Sequence, residues 1–251
     1  MIALLVIGDE ILAGDIREEN ISFMIDTLSR EGHRTGEVRI VRDDVEMIAN
    51  AFRELTSQYD YVISAGGVGP THDDVTLEGA ARGFEVAMEL NHDMEAFLSE
   101  HYAGEMNESA RRMAHVPQGS EIIFGTEHRW PIIKKENAFI LPGLPVALRD
   151  KILRLAEMLP PEAGGWTAVL YVRCDETEIA DWLSKLQKRN PGTKIGSYPV
   201  LENGNFHTRI TIKSADSQTA RSTFEEARRH LDHIGALINH IEPAQHLHPE
   251  A

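Results

Sequence analysis

Tyr61-Val62-Ile63-Ser64-Ala65-Gly66-Gly67-Val68-Gly69-Pro70-Thr71-His72-Asp73-Asp74-Val75-Thr76 is the stretch from which the rest of the chain is read. Its first five residues form an apolar, β-rich run with the length of a strand buried on both faces. Three glycines then permit φ > 0 and close backbone approach, and Pro70 fixes one φ. An apolar helical pattern follows at Leu77, Ala80, Ala81 and Phe84. Strand, glycine turn and helix start together present backbone N–H groups to an anion at the carboxyl edge of a sheet. Gly66, Gly67, Gly69, Thr71 and Thr76 are therefore the candidate phosphate contacts. Asp73 and Asp74 are carboxylates of the kind that hold a divalent cation against such an anion. The same residues also read as a tight turn in which Asp73 and Asp74 only cap a helix.

Upstream, Ile2–Ile7 reads as a buried first strand that ends at Gly8-Asp9-Glu10. Asp9 and Glu10 either face a crevice, are solvated loop acids or help cap the next helix. Ile21, Met24, Ile25 and Leu28 mark a helix closed by Gly32, with Asn20 in its first turn and expected to act there as a cap. Glu37–Val41 alternates as a second strand. Arg42-Asp43-Asp44 then precedes a helix with Val45, Ile48, Ala49, Phe52 and Leu55 on one face. One of the two acids is an N-cap by composition, or one points into the crevice. The β-α-β-α-β order implies a parallel sheet with right-handed crossovers and helices on both faces. Ligands bind such sheets beyond the carboxyl ends of the strands, where Asp9/Glu10, Asp43/Asp44 and Gly66–Asp74 converge.

Downstream, residues 92–115 read as helix in two pieces broken near Gly104, with Arg111, Arg112 and His115 on a solvated face. Short strands are expected at 121–124, 131–134 and 138–141. His128, Arg129 and Trp130 lie between the first two, as ring contacts or as an ordinary loop anchored by the Trp. Leu141-Pro142-Gly143-Leu144-Pro145 is another glycine turn at a strand end; Pro142 and Gly143 are candidates for a second pocket wall, ahead of a helix over 146–158. Residues 160–165 form a Pro-Gly linker between a domain at 1–159 and a smaller α+β domain at 166–241. The smaller domain is read as strand 167–174, helix 176–188, strands 194–200 and 207–213, and helix 217–237. Residues 242–251, within a His-rich end that starts at His240, are expected to be disordered.

The 251 residues carry 25 Lys+Arg against 40 Asp+Glu, a formal charge of −15, which argues against a sequence-independent nucleic-acid binder. The one cysteine, Cys174, excludes an intrachain disulfide and fits a reducing compartment. It is expected to be a buried structural thiol within strand 167–174. No apolar run reaches membrane-span length, and the opening run lacks the basic start of a signal peptide, so a cytoplasmic protein is expected.

Gly66-Gly67-Val68-Gly69-Pro70-Thr71-His72-Asp73-Asp74-Val75-Thr76 resembles the signature of the molybdopterin-binding-like family, in its CinA-like branch and in the domain attached to some FAD synthases. Gly8–Gly14 and Leu141–Pro145 resemble further segments of that family. Many CinA-like proteins carry Gly-x-Ala-Pro-Gly before the hairpin, where this chain has Gly125–Pro131; that departure is closer to the FAD synthase form. The resemblance implies a three-layer α/β/α domain with a mostly parallel sheet and a small KH-like α+β domain. The smaller module lacks a Gly-x-x-Gly clamp, so packing or dimerisation is its expected role. For function, the reading is metal-dependent hydrolysis of a nucleotide pyrophosphate of the ADP-ribose or FAD type. Asp74, with Asp43 and Asp9, would hold Mg²⁺ or a similar ion, and His72 is either a proton shuttle or, as the favoured reading, a solvent-exposed loop histidine. The alternative is a non-catalytic module that binds a pterin phosphate. A homo-oligomer, with a dimer favoured, is expected in either case.

Overall fold

The computed structural model describes residues 1–125, 130–160, 166–202 and 205–241, with backbone alone at 201, 202, 205, 206 and 241. The chain divides into two compact units, Met1–Pro161 and Glu162–Ala251.

In the first unit the elements run β1 (Ile2–Ile7), α1 (Asp9–Ala13), α2 (Asn20–Arg30), β2 (Thr35–Val41), α3 (Val45–Gln58), β3 (Tyr61–Ala65) and α4 (Thr76–Gly83). There follow β4 (Met88–Leu90), α5 (His92–His101), α6 (Glu108–Arg112), β5 (His115–Pro117), β6 (Glu121–Ile123), β7 (Ile132–Lys135), β8 (Ala138–Leu141) and α7 (Pro145–Met158). The main sheet has the order β2-β1-β3-β8-β7-β6. β2, β1, β3 and β8 are mutually parallel, and β7 is antiparallel to both its neighbours.

All six residues of β1 are buried because both faces of the sheet are covered. Strand alternation sends Ala3, Leu5 and Ile7 into one core with Ile48, Phe52 and Leu55 of α3 and Leu77 and Ala80 of α4. Ile2, Leu4 and Val6 enter the other core with Met24 and Leu28 of α2 and Leu148, Ile152 and Leu155 of α7. Helix, sheet and helix thus form three layers. The expected close of α2 at Gly32 is present: its φ of 83° lets Gly32 and His33 donate to the carbonyls of Ser29 and Leu28.

His115 is not helical. It opens β5, which pairs antiparallel with β4 in a separate two-stranded sheet. Three-residue strands carry too little periodicity to be read locally, and tertiary pairing decides them.

The second unit runs β9 (Trp166–Val172), α8 (Glu176–Arg189), β10 (Lys194–Glu202), β11 (Asn205–Ser214), α9 (Ser217–His233) and β12 (Leu237–Ile241). Its antiparallel sheet has the order β10-β11-β9-β12, a split β-α-β arrangement with one strand more than the sequence suggested. Pro199 sits in β10, an edge strand, where a missing N–H is tolerated. The helix expected to reach Leu237 stops at His233. Gly235, at φ 69°, turns the chain, and Leu237–Ile241 pairs with β9. His240 therefore belongs to a strand and not to a tail. Cys174 lies just past β9, half-buried, with its thiol pushed up by burial and then by the charges of Glu178 and Asp175. Residues 161–165 of the expected linker and the expected tail at 242–251 lie outside the described residues.

Candidate functional site

Four strand ends of the first unit build the site. β1 stops at Ile7 and the chain turns at Gly8 into α1. Asp9 gives its two functional groups to different partners. Its carboxylate takes Arg42 in a two-point pair, Nε at 2.9 Å and Nη2 at 3.3 Å, and that pair holds the carboxyl below its ordinary range. Its backbone N–H donates to Asp43 Oδ2 at 2.8 Å.

At the end of β2 the two adjacent acids separate in role. Asp44 is the N-cap of α3, accepting from the Met47 N–H at 2.9 Å. Asp43 is released from capping and is half-buried in the cleft. Burial pushes its carboxyl up. The Asp9 N–H opposes that shift, and the charges of Glu10, Asp9 and Asp73 reinforce it.

The glycine turn follows β3. Gly66 has φ 111°, and a Cβ there would collide with the Ile7 carbonyl oxygen. Gly67 has φ 61°. The N–H groups of Gly67, Val68 and Gly69 donate to no group among the described residues, and all three residues line the cleft. Thr76 is fully buried; its hydroxyl donates to the Gly66 carbonyl at 2.8 Å and its N–H to that of Gly67 at 3.0 Å. It clamps the turn from behind and does not face a ligand. Val75, with no side-chain bond, precedes α4, so neither Asp73 nor Asp74 caps that helix. Asp74 Oδ2 accepts from the Thr71 N–H at 2.8 Å and also from its hydroxyl. Both Thr71 donors are thus turned to Asp74, while Asp74 Oδ1 stays out of that bond. The His72 side chain is 97% exposed and is not part of the cleft. Arg112, expected on a solvated face or, from the family resemblance, beside the cleft, reaches back to the Pro70 carbonyl at 3.2 Å.

The turn after β8 closes the floor. Gly66 donates to the Leu141 carbonyl at 3.2 Å, and a Cβ on Gly143 would lie 3.1 Å from the Gly66 Cα. Asn20 is not the cap expected of it. Its Nδ2 donates to the Gly143 carbonyl at 2.9 Å, while the Glu18 carboxylate receives the Asn20 and Ile21 N–H groups.

These turns enclose a cleft of about 790 Å³ that includes Pro142 and Gly143. Glu10, Glu18, Glu19, Asp43, Asp73 and Asp74 line it, against one Lys or Arg among the described residues, Arg17. At the far side stand His101, Tyr102, Met113 and Trp130. Sequence reasoning missed His101, Met113 and Arg17. The one available signal was the position of His101, four residues beyond Phe97 on the same helix. His128 and Arg129 lie outside the described residues. Of the expected site residues, Glu10, Asn20, Asp43, Gly66, Gly67, Gly69, Asp73, Asp74, Pro142 and Gly143 share the cleft. Asp9, Thr71 and Thr76 sit behind it, as supports. Among the described residues no three His, Cys, Asp or Glu side chains converge as a preformed metal cage.

A three-layer, mostly parallel sheet whose glycine turns floor an acid-lined cleft defines an α/β small-ligand-binding domain. Residues 3–160 match the family model described as probable molybdopterin binding domain, and the chain belongs to that family. Residues 166–237 match the FAD synthase middle domain. A protein of Archaeoglobus fulgidus is 34% identical over 197 residues, covering 78% of this chain and 84% of that one. A probable FAD synthase of Caenorhabditis elegans is 32% identical over 256 residues, covering 91% of this chain; this chain spans 49% of that protein's length. The crystal structure of a CinA protein of unknown function from Thermoplasma acidophilum superposes with a TM-score of 0.58 at 26% identity, covering 62% of this chain and 96% of that one. No helix among the described residues is long and apolar enough to cross a membrane.

Proposed function

We propose that the cleft is an active site for hydrolysis of a nucleotide pyrophosphate of the ADP-ribose or FAD type, assisted by a divalent ion. The observation that carries this reading is the row of N–H groups at Gly67, Val68 and Gly69, unpaired among the described residues, in the lining of a cleft whose described lining has six acids and one arginine. The donors suit a phosphate oxygen. The surrounding carboxylates repel one, so an anionic ligand enters with a counter-cation. Asp43 and Asp74 Oδ1 would hold that ion beside the phosphate. Bound there, it would neutralise charge that develops on the phosphoryl oxygens and ease deprotonation of water. Arg17 supplies a side-chain cation to the cleft. Glu10, which lines the same cleft, would take the proton of the attacking water. Water adds to one phosphorus, the bridging P–O bond breaks, and two phosphate monoesters leave.

The test is mass-spectrometric identification of products from ADP-ribose, FAD, NAD and CoA with several divalent ions. Ion-dependent release of mononucleotides is expected, and an inert panel would overturn the reading. The family description favours a second reading, a pterin-phosphate binding module without turnover. Saturable binding of such a ligand with no product formed would select it.

A further inference from the structure

We infer that one face of the second unit's sheet binds single-stranded nucleic acid, taking bases on its tyrosines and phosphates on its lysines and arginine. The inference uses no residue of the cleft. Alternation along β9 and β11 sends Leu170 and Ile210 into the core against α8 and α9. The intervening positions face away from those helices and have a different chemistry. Tyr198 of β10, Arg209 of β11 and Tyr171 of β9 stand in register across three adjacent strands. Tyr198 and Arg209 are exposed and Tyr171 is half-buried. On the same face, Lys194 of β10 is the direct partner of Lys213 of β11, and both are exposed.

Like charges set directly opposite each other destabilise a sheet, and an anion between Lys194 and Lys213 would relieve them. The ion pairs printed by this unit's described residues, Arg189 with Glu226 and Arg228 with Glu225, lie on the helices and leave these cations out. Arg209 sets its guanidinium 5.0 Å from the centre of the Tyr198 ring, a pairing that keeps its charge beside an aromatic surface. A Cβ at Gly196 would lie 2.9 Å from the Tyr198 hydroxyl and 3.1 Å from its ring. Glycine at that position therefore lets the tyrosine lie along the strand.

An acidic peptide would answer the lysines but not the rings. A second copy docked face to face would set these cations against their own kind. A single strand answers both, since open four-stranded sheets stack unpaired bases on aromatic side chains while Arg and Lys take the backbone. The net charge of −15 does not forbid it. Physiological salt screens exposed charges beyond about 8 Å, so a bound strand responds to the face it touches.

The experiment follows fluorescence anisotropy of three labelled probes with the full chain: a single-stranded RNA of mixed sequence, its duplex, and polyglutamate. At low salt the single strand should bind more tightly than either of the others. Tyr171→Ala and Tyr198→Ala should each weaken it about tenfold, the scale of one base stacked on an aromatic ring, and leave polyglutamate unchanged. Tyr198→Phe should keep most of the affinity. Lys194→Gln and Lys213→Gln should each lower the slope of log affinity against log salt by about 0.7. Thermal unfolding checks that every variant is folded. Should Tyr171→Ala fail that check, Tyr198→Ala and the lysine variants, all at exposed positions, still decide. No binding of the single strand at low salt, or binding that the tyrosine variants leave intact, would overturn the inference. Polyglutamate bound as tightly as the RNA would overturn it too, in favour of an acidic protein segment.

Discussion

The backbone N–H of Asp9 donates to the carboxylate of Asp43 across 2.8 Å, and this bond joins the ends of two neighbouring parallel strands. It turns one acid of an adjacent pair into the cleft while the other caps a helix. The two acids should therefore fail differently when replaced.

Asp43→Asn is expected to preserve the fold, since an amide oxygen still accepts the Asp9 N–H, and to lose about two decades of divalent-dependent turnover. Asp44→Ala should do the reverse, costing about 1 kcal/mol of stability through the lost cap and leaving turnover near wild type. Paired urea unfolding and kcat/KM measurements decide it. Matching profiles for the two variants would refute the division of labour.

Asp74→Asn should lower kcat/KM by about two decades, and Asp73→Asn distinctly less, because Asp74 both faces the cleft and holds Thr71. Asp74→Ala removes the acceptor of the Thr71 N–H as well. It should add a drop in melting temperature that Asp74→Asn does not show. A melting temperature equal to wild type in both variants would count against the loop-holding role.

The strand and helix on either side of the glycine turn were legible because a five-residue apolar run and a 3.6-residue pattern are local signals. The assignment of Asp43 and Asp44 was not. Adjacent acids differ by one residue of register, and only the start of α3 decides which of them caps. The role of Asn20 was hidden for a different reason: its partner, Gly143, is 123 positions away, and a first-turn Asn suggests a cap by local habit. Thr76 looked like a ligand contact because it belongs to the motif, but the clamp on Gly66 appears only once the turn is folded. The approach of His101 to Trp130 needed α5 and the start of β7 to be brought together, which no periodicity states.

Gly66→Ala is expected to cost roughly 2–5 kcal/mol, a Cβ clash with the Ile7 carbonyl added to a left-handed backbone. Gly14, at φ 80°, meets nothing within 4 Å, so Gly14→Ala should cost only about 1–2 kcal/mol. Denaturant unfolding of the two variants separates steric from conformational cost. Similar losses would mean that the strand ends can relax apart.

In the second unit, the His230 ring stacks on Trp182 at 4.2 Å. Burial, then the charges of His233 and Arg189, hold its imidazole below the ordinary histidine range, with Glu226 opposing. On acidification the unfolded chain takes up this proton first. The contribution of His230 is therefore whole above about pH 6.5 and is lost as pH falls through the lower folded value. Urea unfolding followed by tryptophan fluorescence between about pH 7.5 and 5 should show stability falling over this window. His230→Gln should flatten that slope, and an unchanged slope would remove His230 as its source.

The floor of the cleft is main chain: the Ile7 carbonyl, Gly66, Gly67 and Gly143 lie so close that side chains are excluded. Such a surface offers mutation almost nothing to vary. Change in what the cleft accepts then falls to its side-chain lining, which includes Arg17, His101 and Trp130. The fold separates an invariant socket from an adjustable selector. A designer seeking a new ligand would leave the three strand ends alone and diversify only the far wall.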